Sequence, residues 1–143
     1  NKFAVIIKRL LDRYKASEWT NIKVGELQTL AAETIAWKAA TISGLDGGDA
    51  PLTTNYDVII VDEQPEALAK TIKSCLPLLS PNGVIVTTEP MVPTGEIDEE
   101  DESKMALVTG FNDWIELIKS TQKEYYIAFI PVFEGTIVAF LKK

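Results

Sequence analysis

Histidine is absent from the 143 residues, and cysteine occurs once, as Cys75. Without histidine there is no Ser-His-Asp or Cys-His relay, and the commonest zinc ligand is missing. Cys75 has no partner for an internal disulfide; in "TIKSCLPLL" it falls on an apolar helical face and reads as a core thiol, not a nucleophile. Basic residues are scarce too. Fourteen Lys and Arg against 21 Asp and Glu leave a net charge of −7, which argues against a nucleic-acid surface. No apolar run approaches the roughly 18 residues of a membrane span. "FAVII", followed by "KRLLDRYK", is too short for the apolar region of a signal peptide. A cytoplasmic protein is the expectation these absences leave. The first residue is Asn1 and not Met, so the chain is expected to be a piece of a longer protein.

What is present suits one globular domain spanning residues 1–143, with 46% hydrophobic and 24% charged residues. Residues 3–19 carry Leu10, Leu11 and Tyr14 at helical spacing, and helix is favoured over a short strand for "FAVII". "TNIKVGE" (20–26) reads as a short strand broken by Gly25, and "LQTLAAETIAWKAATI" (27–42) as a helix. Glycines, aspartates and a proline make 43–55 a loop. "YDVIIVD" is a strand whose unbroken apolar run suits a parallel sheet buried on both faces. "QPEALAKTIKSCLPLL" (64–79) is a helix with Pro65 in its first turn and Pro77 to stop or kink it. "SPNG" (80–83) reads as a turn before the strand "VIVTTEP" (84–90). "TGEIDEEDES" (94–103) holds six acids and reads as a solvated loop entering the helix 104–122; its run 98–102 lacks the ligand alternation and central glycine of a Ca²⁺ loop. Glu134–Gly135 then joins two strands into a closing hairpin. Strands alternating with helices predict an α/β sandwich, mostly parallel, with one reversed strand near its edge.

The stretch "NYDVIIVDEQPE" (55–66) poses the functional question. Asp62 ends the apolar run Val58–Val61, and three readings are open. It caps the next helix, it binds a cofactor or metal at the carboxyl end of a strand, or it accepts a phosphoryl group.

Four stretches now resemble the carboxyl-terminal half of class I S-adenosylmethionine-dependent methyltransferases, in particular the small O-methyltransferases related to the catechol and caffeoyl-CoA enzymes. "NYDVIIVDEQPE" resembles that group's "FDLIFIDADK", and "CLPLLSPNGVIVTTEP" resembles its "xxPLLKPGGxIxxDNV". "FNDWIELIKS" resembles its late helix, and "IAFIPVFEGTIVAFLKK" its closing hairpin. "NIKVGELQTL" resembles "VxxxxGDALExL", the strand and turn beside the adenine ring. The resemblance implies a three-layer Rossmann-like methyltransferase sheet, mostly parallel, with a closing antiparallel β-hairpin. It also implies S-adenosylmethionine as cofactor, a divalent cation such as Mg²⁺, and a small hydroxylated acceptor.

Carried over position by position, the first metal-ligand aspartate falls on Asp62, next to the cofactor. The Asp-Asn pair falls on Thr88 and Glu89, so Asp62 and Glu89 are the candidate metal ligands. Glu26 and Leu27 fall beside the adenine. The family's lysine falls close to Pro65, and none stands there. The glycine-rich turn after the first strand and the acid after the second are not found; Gly47–Gly48 lies in the wrong place for either. The chain by itself is therefore expected to show no methyl transfer, and no catalytic residue is assigned.

Two alternatives stand beside this reading. A non-catalytic scaffold of methyltransferase fold would keep an open sheet edge that a second copy could cover. A receiver-like signalling domain would phosphorylate Asp62, but it needs an acidic pair where Lys8 and Arg9 stand, and it ends on a helix.

Overall fold

The computed structural model describes residues 2–45, 48–95 and 101–143. Helices α1 (Lys2–Arg13) and α2 (Leu27–Ile42) precede strand β1 (Tyr56–Ile60). Helix α3 (Pro65–Cys75) tightens into a 3-10 turn at Leu76–Leu78 before strand β2 (Leu79–Thr88); helix α4 (Glu102–Thr121) and strands β3 (Tyr125–Val132) and β4 (Gly135–Lys142) complete the order. The sheet runs β1-β2-β4-β3, with β1 parallel to β2 and the other two pairings antiparallel. The α/β class and the closing hairpin are as the sequence predicts. β3 and β4 pair without a break from Tyr125 opposite Lys142 to Val132 opposite Gly135.

Local chemistry explains the boundaries. Pro65 stands at the start of α3, where no N–H is required, and Pro77 ends the regular helix by forcing the 3-10 turn. Asp101 caps α4: its carboxylate accepts from the backbone N–H of Ser103 at 3.1 Å and of Lys104 at 3.2 Å, and Glu102 follows in the first turn. The rest of the acidic stretch, 96–100, with most of the run weighed for Ca²⁺, lies outside the described residues.

Three sequence expectations are corrected. Residues 20–26 are irregular, not a strand. Extended chain becomes a strand only where a neighbour completes the ladder, and this segment pairs with no described strand; Val24 is 62% exposed. "SPNG" is no turn but part of β2. Gly83 there faces a bulge in β1 between Tyr56 and Val58, and a Cβ on it would lie 2.6 Å from the Tyr56 carbonyl oxygen. Third, the described helices cover one face of the sheet, not two.

The covered face holds the core. Ile72 of α3, Trp114 and Leu117 of α4, Ile85 of β2, and Val138 and Phe140 of β4 are fully buried, with Cys75 beside them. Trp114 meets Phe140 edge-to-face, ring centroids 5.9 Å apart at 86°. Such a pair adds about 0.5–1.5 kcal/mol beyond its burial. Tyr125 turns into this core and Tyr126 away from it, as strand alternation requires.

Gly110, an unexpected residue in mid-helix, has a packing reason. A Cβ there would lie 2.6 Å from both the Pro65 carbonyl oxygen and the Glu66 Cα, backbone atoms of α3 that cannot step aside. Gly110→Ala is therefore expected to lose stability. Overpacking at the upper end of its range costs about 3 kcal/mol and outweighs the ~1 kcal/mol that alanine gains in helix propensity. Urea unfolding should show the midpoint fall.

Burial raises the Cys75 thiol above its ordinary value, and burial with the nearby Glu124 charge raises the Tyr125 phenol. Both groups hold their protons more tightly folded than unfolded. Their contribution is full below about pH 9, the ordinary thiol region, and is lost as pH rises through the raised values. Unfolding free energy measured from pH 8 to 11 is expected to decline, and to decline less steeply in Tyr125→Phe.

Candidate functional site

Because β1 and β2 are parallel, their carboxyl ends open on the same side of the sheet, where ligands gather in α/β folds. The close approach at Gly110 sets the middle of α4 against the first turn of α3, and the start of α4, with Lys104, Leu107 and Val108, lines the far side of that opening. Between these four ends lies a cavity of about 520 Å³, within the ~300–1,000 Å³ usual for small-molecule sites. Pro65 and Leu68 of α3, Leu107 and Val108 of α4, and the loop Pro90–Pro93 form its apolar walls. Glu63, Thr88, Glu89, Thr94 and Lys104 supply polar groups. The loop is held from behind: the Glu89 N–H donates to the Thr136 carbonyl at 2.8 Å, and Pro90 is buried.

The predicted site residues fall in different places. Glu89 lines the cavity and is half-buried. Asp62 stands at the exposed end of β1, next to the lining residue Glu63 but not itself part of the wall. Its reading as a helix cap is corrected. The cap position of α3 is Gln64, with no side-chain capping bond, and it is Glu63 whose Oε1 accepts from the Gln64 N–H at 2.9 Å. Glu26 and Leu27 open α2, outside the cavity wall, and Glu26 Oε2 accepts from the Thr29 hydroxyl at 2.7 Å.

Asp62 and Glu89 come from the ends of separate strands, and no group of three or more His, Cys, Asp or Glu is placed to hold an ion among the described residues. Lys104 is the cavity's cation; its Nζ lies 3.9 Å from Asp101 Oδ2, a solvent-exposed pair worth at most about 1 kcal/mol.

Sequence reasoning missed Glu63, Lys104 and the loop "PMVP". The loop carried a legible signal. Met91 is 89% exposed and Val92 63% exposed, two apolar side chains between prolines directly after a strand. Lys104 carried none, because only the α3–α4 contact brings it to the cavity.

Solved structures of similar fold include two that match most of the chain. The SAH-bound methyltransferase PaMTH1 of Podospora anserina matches 99% of this chain and 57% of its own, with 16% identity and a TM-score of 0.59. A protein of Corynebacterium glutamicum matches over 94% of this chain and 53% of its own, again with 16% identity, and a TM-score of 0.56. The chain thus spans little more than half the length of either. No protein-family model and no curated protein sequence matches it. The likeness shows the fold: a methyltransferase-like α/β sandwich, of which the described residues hold four strands. No described helix is long and apolar enough to cross a membrane.

The cap that places Lys104 on the cavity rim can be tested directly. Asp101→Ala removes both capping bonds and is expected to cost about 1 kcal/mol, read as a lower urea midpoint.

Proposed function

We propose that this chain carries the acceptor side of an S-adenosylmethionine-dependent methyltransferase, acting on the hydroxyl of a small, largely apolar molecule. The observation that carries this is the apolar cavity at the carboxyl ends of β1 and β2, in a sheet whose solved likenesses include an SAH-bound methyltransferase.

In this reading Leu68, Met91, Val92 and Leu107 enclose the acceptor's apolar body and exclude water. Glu89, half-buried at the end of β2, accepts a hydrogen bond from the acceptor hydroxyl and takes its proton as the oxygen is methylated. S-adenosylmethionine supplies an electrophilic methyl group on sulfur. Asp62, with Glu26 and Leu27, is assigned to hold it beside β1. Proximity and alignment of the two reactants then supply most of the acceleration. No step is routed through a divalent cation, because among the described residues no group of three or more metal-ligating side chains is placed to hold one.

The chain by itself is expected to bind without turnover, because the glycine-rich turn that lets the donor approach is not found in its sequence. The second reading, a domain that keeps the fold without catalysis, is favoured by the thin polar lining of the cavity.

Calorimetric titration with S-adenosylhomocysteine, with and without Mg²⁺, separates the two. The methyltransferase reading expects binding that Mg²⁺ leaves unchanged and that Asp62→Asn weakens about tenfold, a loss near 1.4 kcal/mol. Binding equal in both chains removes Asp62 from the site. No heat with either leaves the non-catalytic reading.

A further inference from the structure

A second cavity lies at the other end of the sheet, where β2 begins and β4 ends. Its volume is about 410 Å³, again within the ~300–1,000 Å³ usual for small-molecule sites. The ends of α3 and α4, the 3-10 turn and the start of β3 close its sides. Leu76 and Pro77 give it an apolar wall, Lys73, Lys142 and Glu124 supply charge, and the buried Tyr125 faces it.

Tyr125 is the informative residue. It is 6% exposed and belongs to the core, yet its hydroxyl has no hydrogen-bond partner among the described residues. A buried phenol ordinarily finds one. No described side-chain oxygen is both sealed from solvent and unpaired, so the hydroxyl opens into the cavity that the residue lines. Burial and the nearby Glu124 charge keep it protonated at neutral pH, which leaves it an O–H donor facing an enclosed space.

The two lysines are likewise unused. Among the described residues neither ammonium enters an ion pair or donates a hydrogen bond. The ordinary task for lysine at this place is to satisfy the last carbonyls of a helix. Other groups already do so at the end of α4. The Lys143 ammonium donates to the Gln122 and Lys123 carbonyls at 2.9 and 3.3 Å, and the Thr121 hydroxyl donates to that of Leu117 at 2.7 Å. The Lys143 N–H also donates to the Glu124 carbonyl at 3.0 Å, fastening the end of β4 to the turn after α4. This holds the half-buried Lys142 opposite Tyr125, its cross-strand partner on the same face. Glu124 is exposed, and against two lysines it leaves the lining net positive in a chain of net charge −7.

We propose that this cavity is a second binding site, for a small organic anion with a carboxylate or phosphate head. The head accepts hydrogen bonds from the Tyr125 hydroxyl and from the ammonium groups of Lys73 and Lys142, and the apolar part of the molecule rests on Leu76 and Pro77. The site lies at the opposite ends of the strands from the first cavity and does not depend on methyl transfer.

Titration of the isotopically labelled chain, followed by amide NMR, tests it with benzoate, phenyl phosphate and inorganic phosphate as probes. Benzoate or phenyl phosphate is expected to shift the signals of Lys73, Thr121, Tyr125 and Lys142 along one saturating curve, and the tighter of the two identifies the head group. Tyr125→Phe and Lys142→Gln are each expected to weaken that binding about tenfold, and Glu124→Gln to strengthen it. Tyr125→Phe keeps the ring that fills the core; Lys142→Gln, outside the core, reads the site independently if the first variant unfolds. Absence of these shifts with both organic probes overturns the proposal. So does binding that a folded Tyr125→Phe chain, or the Lys142→Gln chain, retains in full, which would mark an adventitious anion among surface lysines. Inorganic phosphate that binds as tightly as phenyl phosphate overturns the role given to Leu76 and Pro77.

Discussion

A single close approach sets the geometry of the covered side of this molecule. At Gly110 the backbone of α4 comes against the first turn of α3, near enough that no side chain fits between them. Two helices held that tightly present one continuous surface to the sheet, and Ile72, Trp114 and Leu117 fill it against Ile85, Val138 and Phe140. The same contact sets the start of α3 against the middle of α4, leaving the start of α4 to line the cavity at the ends of β1 and β2. Core and cavity are therefore two results of one packing constraint.

The sheet is strongly asymmetric. Its helical side is closed by an aromatic pair and a buried thiol, while its other side shows rows of valine, isoleucine and leucine to solvent. Burial of apolar area is the main source of folding free energy. A sheet covered on one side alone leaves much of that source unused. The solved structures of this fold are longer chains, matched by this one over little more than half their length.

The cavity draws its lining from distant parts of the sequence. Glu63 and Glu89 come from the ends of neighbouring parallel strands, Met91 and Val92 from a proline-bounded loop, and Lys104 from the capped start of α4. Its lining is largely apolar with a few carboxylates, and among the described residues no group of three or more metal-ligating side chains is gathered.

Much of the fold was legible in the sequence because the signals were local. Helix 27–42 follows from its strong helix formers, the end of α3 from Pro77, and the hairpin from Glu134–Gly135 between apolar runs. The fold class followed from the alternation of such segments, and Glu89 from the resemblance of "CLPLLSPNGVIVTTEP" to a methyltransferase segment. Other features were decided only in three dimensions. Residues 20–26 have strand-like sequence but no neighbour to complete a ladder, and "SPNG" has turn-like sequence but pairs because a bulge in β1 accommodates Gly83. A helix cap was one of three readings open for Asp62, yet the chain turns so that Glu63 meets the Gln64 N–H instead. Lys104 reached the cavity through the α3–α4 contact, for which no spacing rule exists. Sequence by itself determined what each segment prefers, since propensity and capping act over a few residues. Tertiary structure decided which segments found partners, because pairing and close packing depend on groups far apart in the chain.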